Sequence, residues 1–262
     1  MQNTNGVLLI TALLASSCLG RTVTGTKSSF EQSITEAKRG NSRAQYLLAL
    51  RYLDADGVAP NVEEGRKWLL KSAAQSYGPS ETQLGWLAEE GVGQSKNLGE
   101  ARKWYERAVD HGSLWGMNNL GRMYLMGSSV SPDYGRAFEL FQKAWLHSPS
   151  ARFNLGLMYE LGLGRSKDLA EACAWYTVAA ETDNHPAAVA RDRLKKQLSA
   201  SELDRLQKRV NRLHLHLAWD RIEEFLSSKV YPVQYLLDFL ICLQTLIYLI
   251  WPKKKRLQEQ VA

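Results

Sequence analysis

The sequence predicts an all-α fold, an α-solenoid of stacked helix pairs, on three observations. Leu48, Leu84, Leu120 and Leu155 recur 36, 36 and 35 residues apart, followed by Ala49, Gly85, Gly121 and Gly156. A period near 35 marks an array of units, each too small to bury its own apolar side. Within a copy the apolar residues keep helical spacing: Ala151, Leu155 and Tyr159, then Ala172, Trp175 and Ala179. The second stripe of every copy is preceded by a helix-capping side chain, namely Asn61, Asn97, Asp133 or Asp168.

Taken in order, residues 1–26 hold an uncharged, leucine-rich run, Val7 to Ala15, then Ser16, Ser17 and Cys18. That run is too short to span a bilayer and reads as a secretory signal. Small residues before a cysteine also suit a lipoprotein signal, which makes Cys18 the lipidation candidate; an ordinary free cysteine is the alternative. Residues 27–41 read as one leading helix, with Ser28-x-x-Glu31 as a capping box and Phe30, Ile34 and Ala37 on one stripe.

Four repeats follow, at 42–77, 78–113, 114–148 and 149–183. Each is a helix A, a loop and a helix B. A glycine inside a helix costs about 1 kcal/mol relative to alanine. Its recurrence after the helix-A leucine therefore predicts close approach of a second helix. Trp68, Trp104, Leu140 and Trp175 mark the helix-B seam, and Gly162 and Gly164 can end helix A with positive φ.

These residues resemble the SEL-one-like repeat (SLR) family, short relatives of tetratricopeptide repeats. Its pattern, A-x-x-x-L-G-x-x-Y-x-x-G-x-G-V-x-x-D-x-x-x-A-x-x-W-Y-x-x-A-A, is matched by Ala151, Leu155, Gly156, Tyr159, Gly162, Gly164, Asp168, Ala172, Trp175, Tyr176, Ala179 and Ala180. The second copy supplies Leu84, Gly85, Gly91, Gly93, Ala101, Trp104, Tyr105 and Ala108; Ala49, Gly65, Ser129 and Leu140 depart from it. The resemblance implies a right-handed solenoid whose A helices line the concave face. By analogy with tetratricopeptide units, the exposed positions there lie two before, two after and five after the helix-A leucine. Those offsets give Tyr46, Leu50 and Leu53; Thr82, Trp86 and Glu89; Asn118, Arg122 and Leu125; and Phe153, Leu157 and Glu160. The partner-binding candidates are Tyr46, Leu50, Trp86, Glu89, Asn118, Arg122, Phe153 and Leu157. A mixed aromatic and polar face suits a protein or peptide better than a small metabolite.

Residues 184–228 read as capping helices: Pro186 to Gln197, then a long helix opened by Ser199-x-x-Glu202. Leu198 and Leu203 are placed as a staple, and Leu203, Leu206, Val210, Leu213 and Leu217 form a seam. The segment 232–251 is apolar from Val233 to Trp251 except for Asp238. At 1.5 Å per residue it is about 28 Å long, against ~30 Å of hydrocarbon. It reads as a transmembrane helix, with packing against the long helix as the alternative. The basic tail, 252–262, then marks the cytoplasmic side. The two ends together predict an exported, periplasmic-facing chain attached to the bacterial inner membrane, with an outer-membrane lipoprotein as the alternative.

The net charge of +6 is unevenly placed. Residues 1–184 carry 19 basic and 19 acidic side chains, whereas 185–213 carry eight basic and three acidic. A neutral array with a basic end suits anionic headgroups and argues against nucleic acid as a partner. Cys18, Cys173 and Cys242 have no metal or disulfide spacing, and Cys173 reads as buried filler. His214 and His216 point to different sides of a helix; His111 and His147 suit helix C-termini. Glu63–Glu64 and Glu89–Glu90 read as solvated helix ends. No nucleophile elbow or phosphate loop occurs, so no catalytic residue, metal site or cofactor is predicted. The expected function is a non-catalytic scaffold in the cell envelope. The alternative, by resemblance alone, is a cell-wall or β-lactam hydrolase.

Overall fold

The computed structural model describes residues 27–56, 58–182 and 184–227, all in helices and short connections. Cys18, the 232–251 segment and the basic tail lie outside these residues. No helix among the described residues is long and apolar enough to cross a membrane.

The helices are α1 (Lys27–Lys38), α2 (Ser42–Asp54), α3 (Val62–Ala73), α4 (Gly78–Glu90), α5 (Leu98–Asp110), α6 (Leu114–Met126), α7 (Tyr134–Ala144), α8 (Pro149–Leu161), α9 (Leu169–Ala180), α10 (His185–Lys195) and α11 (Ala200–Ser227). The four capping side chains act as their positions predict. Asn61, Asn97, Asp133 and Asp168 accept from the N–H groups of Glu64, Glu100, Arg136 and Glu171. Each cap also donates its own N–H backward to helix A, to the carbonyls of Tyr52, Ala88, Tyr124 and Tyr159 at 2.8–3.0 Å. One loop geometry, tied at both ends, thus turns every A helix into its B helix. Gly127 and Gly162 end α6 and α8 with positive φ, and Ala55 takes the same conformation after α2 despite its Cβ.

The chain divides into two compact units, at Tyr77 and Gly78. In the first, α1 packs on α2 and α2 on α3. Ala37, Leu48, Ala49, Leu69 and Ala73 are buried, and the Gln45 amide donates to the Ala37 carbonyl at 3.2 Å. α1 already runs at Lys27, so Ser28 lies within its first turn and not at its cap.

In the second unit the pairs α4–α5, α6–α7 and α8–α9 stack in order, and α10 and α11 both pack on α9. The B-helix residue at the centre of each pair is one place beyond the predicted seam. Tyr105, Phe141 and Tyr176 are buried against the helix-A glycines, whereas Trp104 is half-buried. A Cβ on Gly85, Gly121 or Gly156 would stand 2.5–2.8 Å from those rings. The close approach predicted at these glycines is the seat of an aromatic ring. In the first repeat, where Ala49 replaces glycine, the equivalent B-helix residue is the smaller Leu69.

The long helix opens with a formed capping box. The Ser199 N–H donates to Glu202 at 2.8 Å, and the Glu202 N–H to Ser199 Oγ at 3.4 Å. Leu206, Val210 and Leu213 are buried, whereas Leu203 is 36% exposed.

Candidate interaction surface

The A helices present the predicted offsets unequally. In the first unit Tyr46 and Leu50 are half-buried, and the Tyr46 ring stands 5.6 Å from Tyr77. Burial, and then that second phenol, push the Tyr46 hydroxyl up from its usual pKa. In the second unit the offset two after the leucine is the most open. Trp86 is 41% exposed, Arg122 keeps 42% of its side-chain surface, and Leu157 is half-buried.

The other two offsets are not open, which corrects the expectation that all three face solvent. Two before the leucine, Thr82 and Asn118 are buried between helices. Thr82 Oγ1 lies 2.8 Å from Ser113 Oγ, and the Asn154 amide donates to Asn118 Oδ1 at 3.4 Å. Phe153 is half-buried against Tyr176, with ring centroids 5.4 Å apart. Five after the leucine, Glu89 and Leu125 are buried. Glu89 is not a solvated helix end; it accepts from the Tyr105 hydroxyl at 2.8 Å and from Arg122 at 2.6 Å.

The same clasp recurs two repeats later. Glu160 accepts from the Tyr176 hydroxyl at 2.9 Å and from Arg193 of α10 at 2.6 Å. Each joins an A helix, its own B helix and the next A helix. Burial, and then the bond to the carboxylate, hold Tyr105 and Tyr176 protonated well beyond the usual phenol range. At the intervening step the equivalent residues are Leu125, Phe141 and Leu157, an apolar triplet. Charged and apolar versions thus alternate as whole sets. That three-way pattern was present in the sequence, but only residues 16, 17 and 33 apart compared together reveal it.

The histidines also have partners beyond helix ends. His111 Nδ1 lies 2.6 Å from Glu81, whose fully buried carboxylate also pairs with Arg107 at 3.0 Å. His147 faces Asp220 at 3.5 Å, and His214 faces Glu181 at 2.8 Å. His216 instead sets its edge on Trp145. Cys173 is buried, and that burial pushes its thiol up, away from the nucleophilic thiolate. Among the described residues, no three His, Cys, Asp or Glu side chains cluster to hold a metal ion.

One exposed residue on this face was missed. Trp115, 58% exposed, lies at i−3 from Asn118 and i−7 from Arg122 on α6. Trp86, Trp115 and the open part of Arg122 therefore give the A-helix side of the second unit large amphipathic side chains with little to pack on. Such groups gain most from a partner that covers them.

The family model for the Sel1 repeat matches residues 42–77, 78–113, 116–144 and 149–184. A crystal structure of a Sel1 repeat protein from Oxalobacter formigenes is 30% identical with a TM-score of 0.57, covering 62% of this chain and 64% of that one. The chitin synthase regulator of Saccharomyces cerevisiae is 29% identical over 161 residues, 58% of this chain and 23% of that protein. The chitin synthase regulator of Malassezia restricta is 35% identical over 78 residues, 29% of this chain and 5% of that protein. The chain spans less than a quarter of the length of these curated relatives.

Proposed function

The chain belongs to the Sel1 repeat family, whose repeats act as protein-interaction scaffolds, and we propose that it holds a protein or peptide segment on its A-helix face. The observation that carries this reading is the exposure of Trp86 and Trp115 beside the Glu89–Arg122 clasp. The clasp fixes the spacing of successive A helices, so the two indoles are presented on a rigid frame. Ordering costs at the interface are then small, and a buried indole commonly contributes about 2 kcal/mol or more to binding.

The place of work belongs to the same proposal. The leucine-rich N-terminus with Cys18, the apolar 232–251 segment and the basic tail support a chain exported and attached to the inner membrane, its repeats periplasmic. The relatives named as chitin synthase regulators support a regulatory role in assembling an envelope polymer.

The test is affinity capture with the intact protein against the double variant Trp86→Ala plus Trp115→Ala. Arg122 is left alone, because its loss would disturb the frame as well as the face. Loss of one or more captured proteins is expected; equal recovery of every protein by both would show that the A-helix face does not bind them.

A further inference from the structure

On the other side of the second unit, the end of α7, the middle of α9 and the length of α11 enclose an open groove of about 450 Å³. Three indoles line it. The Trp145 and Trp175 rings meet edge to face with centroids 5.3 Å apart, and Trp219 is 60% exposed at the rim. Trp175 is 3% exposed and Trp145 half-buried, so Trp219 is the indole of the three left to solvent, a surface that a partner could cover.

The charges in the groove decide what kind of partner fits. Arg209 lies over the Trp175 ring at 5.4 Å, so an indole here already accommodates a guanidinium. Its charge is answered by Glu171, which accepts from Arg209 at 2.7 Å and from the Trp175 indole at 3.1 Å. Asp220 and Glu223, one turn apart on α11, also line the groove. Asp220 faces His147 at 3.5 Å, an ion pair only when that ring is protonated. With Arg209 held by Glu171 over Trp175, the charges left in the lining are the carboxylates of Asp220 and Glu223, on the same helix as the exposed Trp219 ring. Both features attract a cation and repel a carboxylate.

We propose that this groove docks an arginine side chain carried by an extended segment of a partner protein. A guanidinium stacks flat on an indole and forks onto a carboxylate at once, whereas an ammonium does the second only. The volume suits one long side chain with its apolar neighbours. The groove is separate from the A-helix face, so the two surfaces can be occupied together.

The experiment uses the full chain labelled with fluorotryptophan and three capped heptapeptides, Gly-Ser-Leu-X-Leu-Ser-Gly, with X arginine, citrulline or glutamate. Citrulline keeps the shape and removes the charge. Fluorine resonances of Trp145 and Trp219 should move with the arginine peptide, which should bind about tenfold or more tightly than the other two. Glu223→Gln and Trp219→Ala, both at exposed positions, should each weaken it severalfold with unchanged circular dichroism. Trp86→Ala should leave it unaltered. Equal affinity for arginine and citrulline, preference for glutamate, or unmoved resonances at millimolar peptide would overturn the proposal.

Discussion

Exchanging one clasp for the apolar triplet found at the next step tests how the repeats are held in register. Tyr105→Phe removes one hydrogen bond to a buried carboxylate, worth about 1.5–3 kcal/mol. Arg122→Leu leaves Glu89, 8% exposed, without its cation. A fully buried pair broken this way costs about 3–5 kcal/mol, but partial exposure of Arg122 lowers the figure to about 1–3. Glu89→Leu takes the carboxylate from both the Tyr105 hydroxyl and Arg122 and costs a similar amount. The triple variant Glu89→Leu, Tyr105→Phe, Arg122→Leu copies Leu125, Phe141 and Leu157, and should fall within about 1 kcal/mol of the parent. Denaturant unfolding followed by circular dichroism and fitted with a nearest-neighbour repeat model is the assay. A triple variant as unstable as the sum of the three singles would show that the clasp and the apolar triplet are not interchangeable.

Four other outcomes are expected. Gly121→Ala should destabilise, since overpacking against Phe141 at 2.8 Å costs about 1–3 kcal/mol and helix propensity returns at most about 1; adding Phe141→Leu, which recreates the Ala49–Leu69 pair, should recover part of the loss in thermal melts. Arg152→Ala should cost about 2–4 kcal/mol, because this buried side chain donates to the carbonyls of Trp145, Leu146 and Val178. Tyr105 and Tyr176 have pKa values raised in the folded state, so the stability they supply is complete below the unfolded phenol value near about 10 and lost as pH rises above it. Ultraviolet tyrosinate absorbance should therefore appear together with unfolding for these two residues, and Phe at either position should remove its share. Deleting residues 230–262 should release the chain from membranes still folded, as fractionation and circular dichroism would show; retention on membranes would move the anchoring role to Cys18.

Much of the fold was legible because it rests on local chemistry repeated four times. The 36-residue spacing of Leu48, Leu84 and Leu120 located the helix pairs, and Asn61, Asn97, Asp133 and Asp168 located the start of each B helix. What could not be read was which side chain sits deepest. Trp175 and Tyr176 are neighbours of similar size, and only the position of Gly156 across the pair puts the Tyr176 ring at the centre. The surface was harder still. The offsets taken from tetratricopeptide units place all three positions in the open. Here adjacent A helices touch, so Thr82 and Asn118 fill the seam and Glu89 turns inward to a tyrosine of its own repeat. The offset two after the leucine keeps part of its surface open in Trp86 and Arg122.

The A-helix face of the second unit is the surface proposed to receive the partner. A photo-crosslinking amino acid placed in turn at Trp86, at Trp115 and at Lys103, an exposed residue of α5, measures this directly in cells. Positions 86 and 115 should yield the same adduct and position 103 none. Adducts confined to position 103, or equal at all three, would contradict the claim.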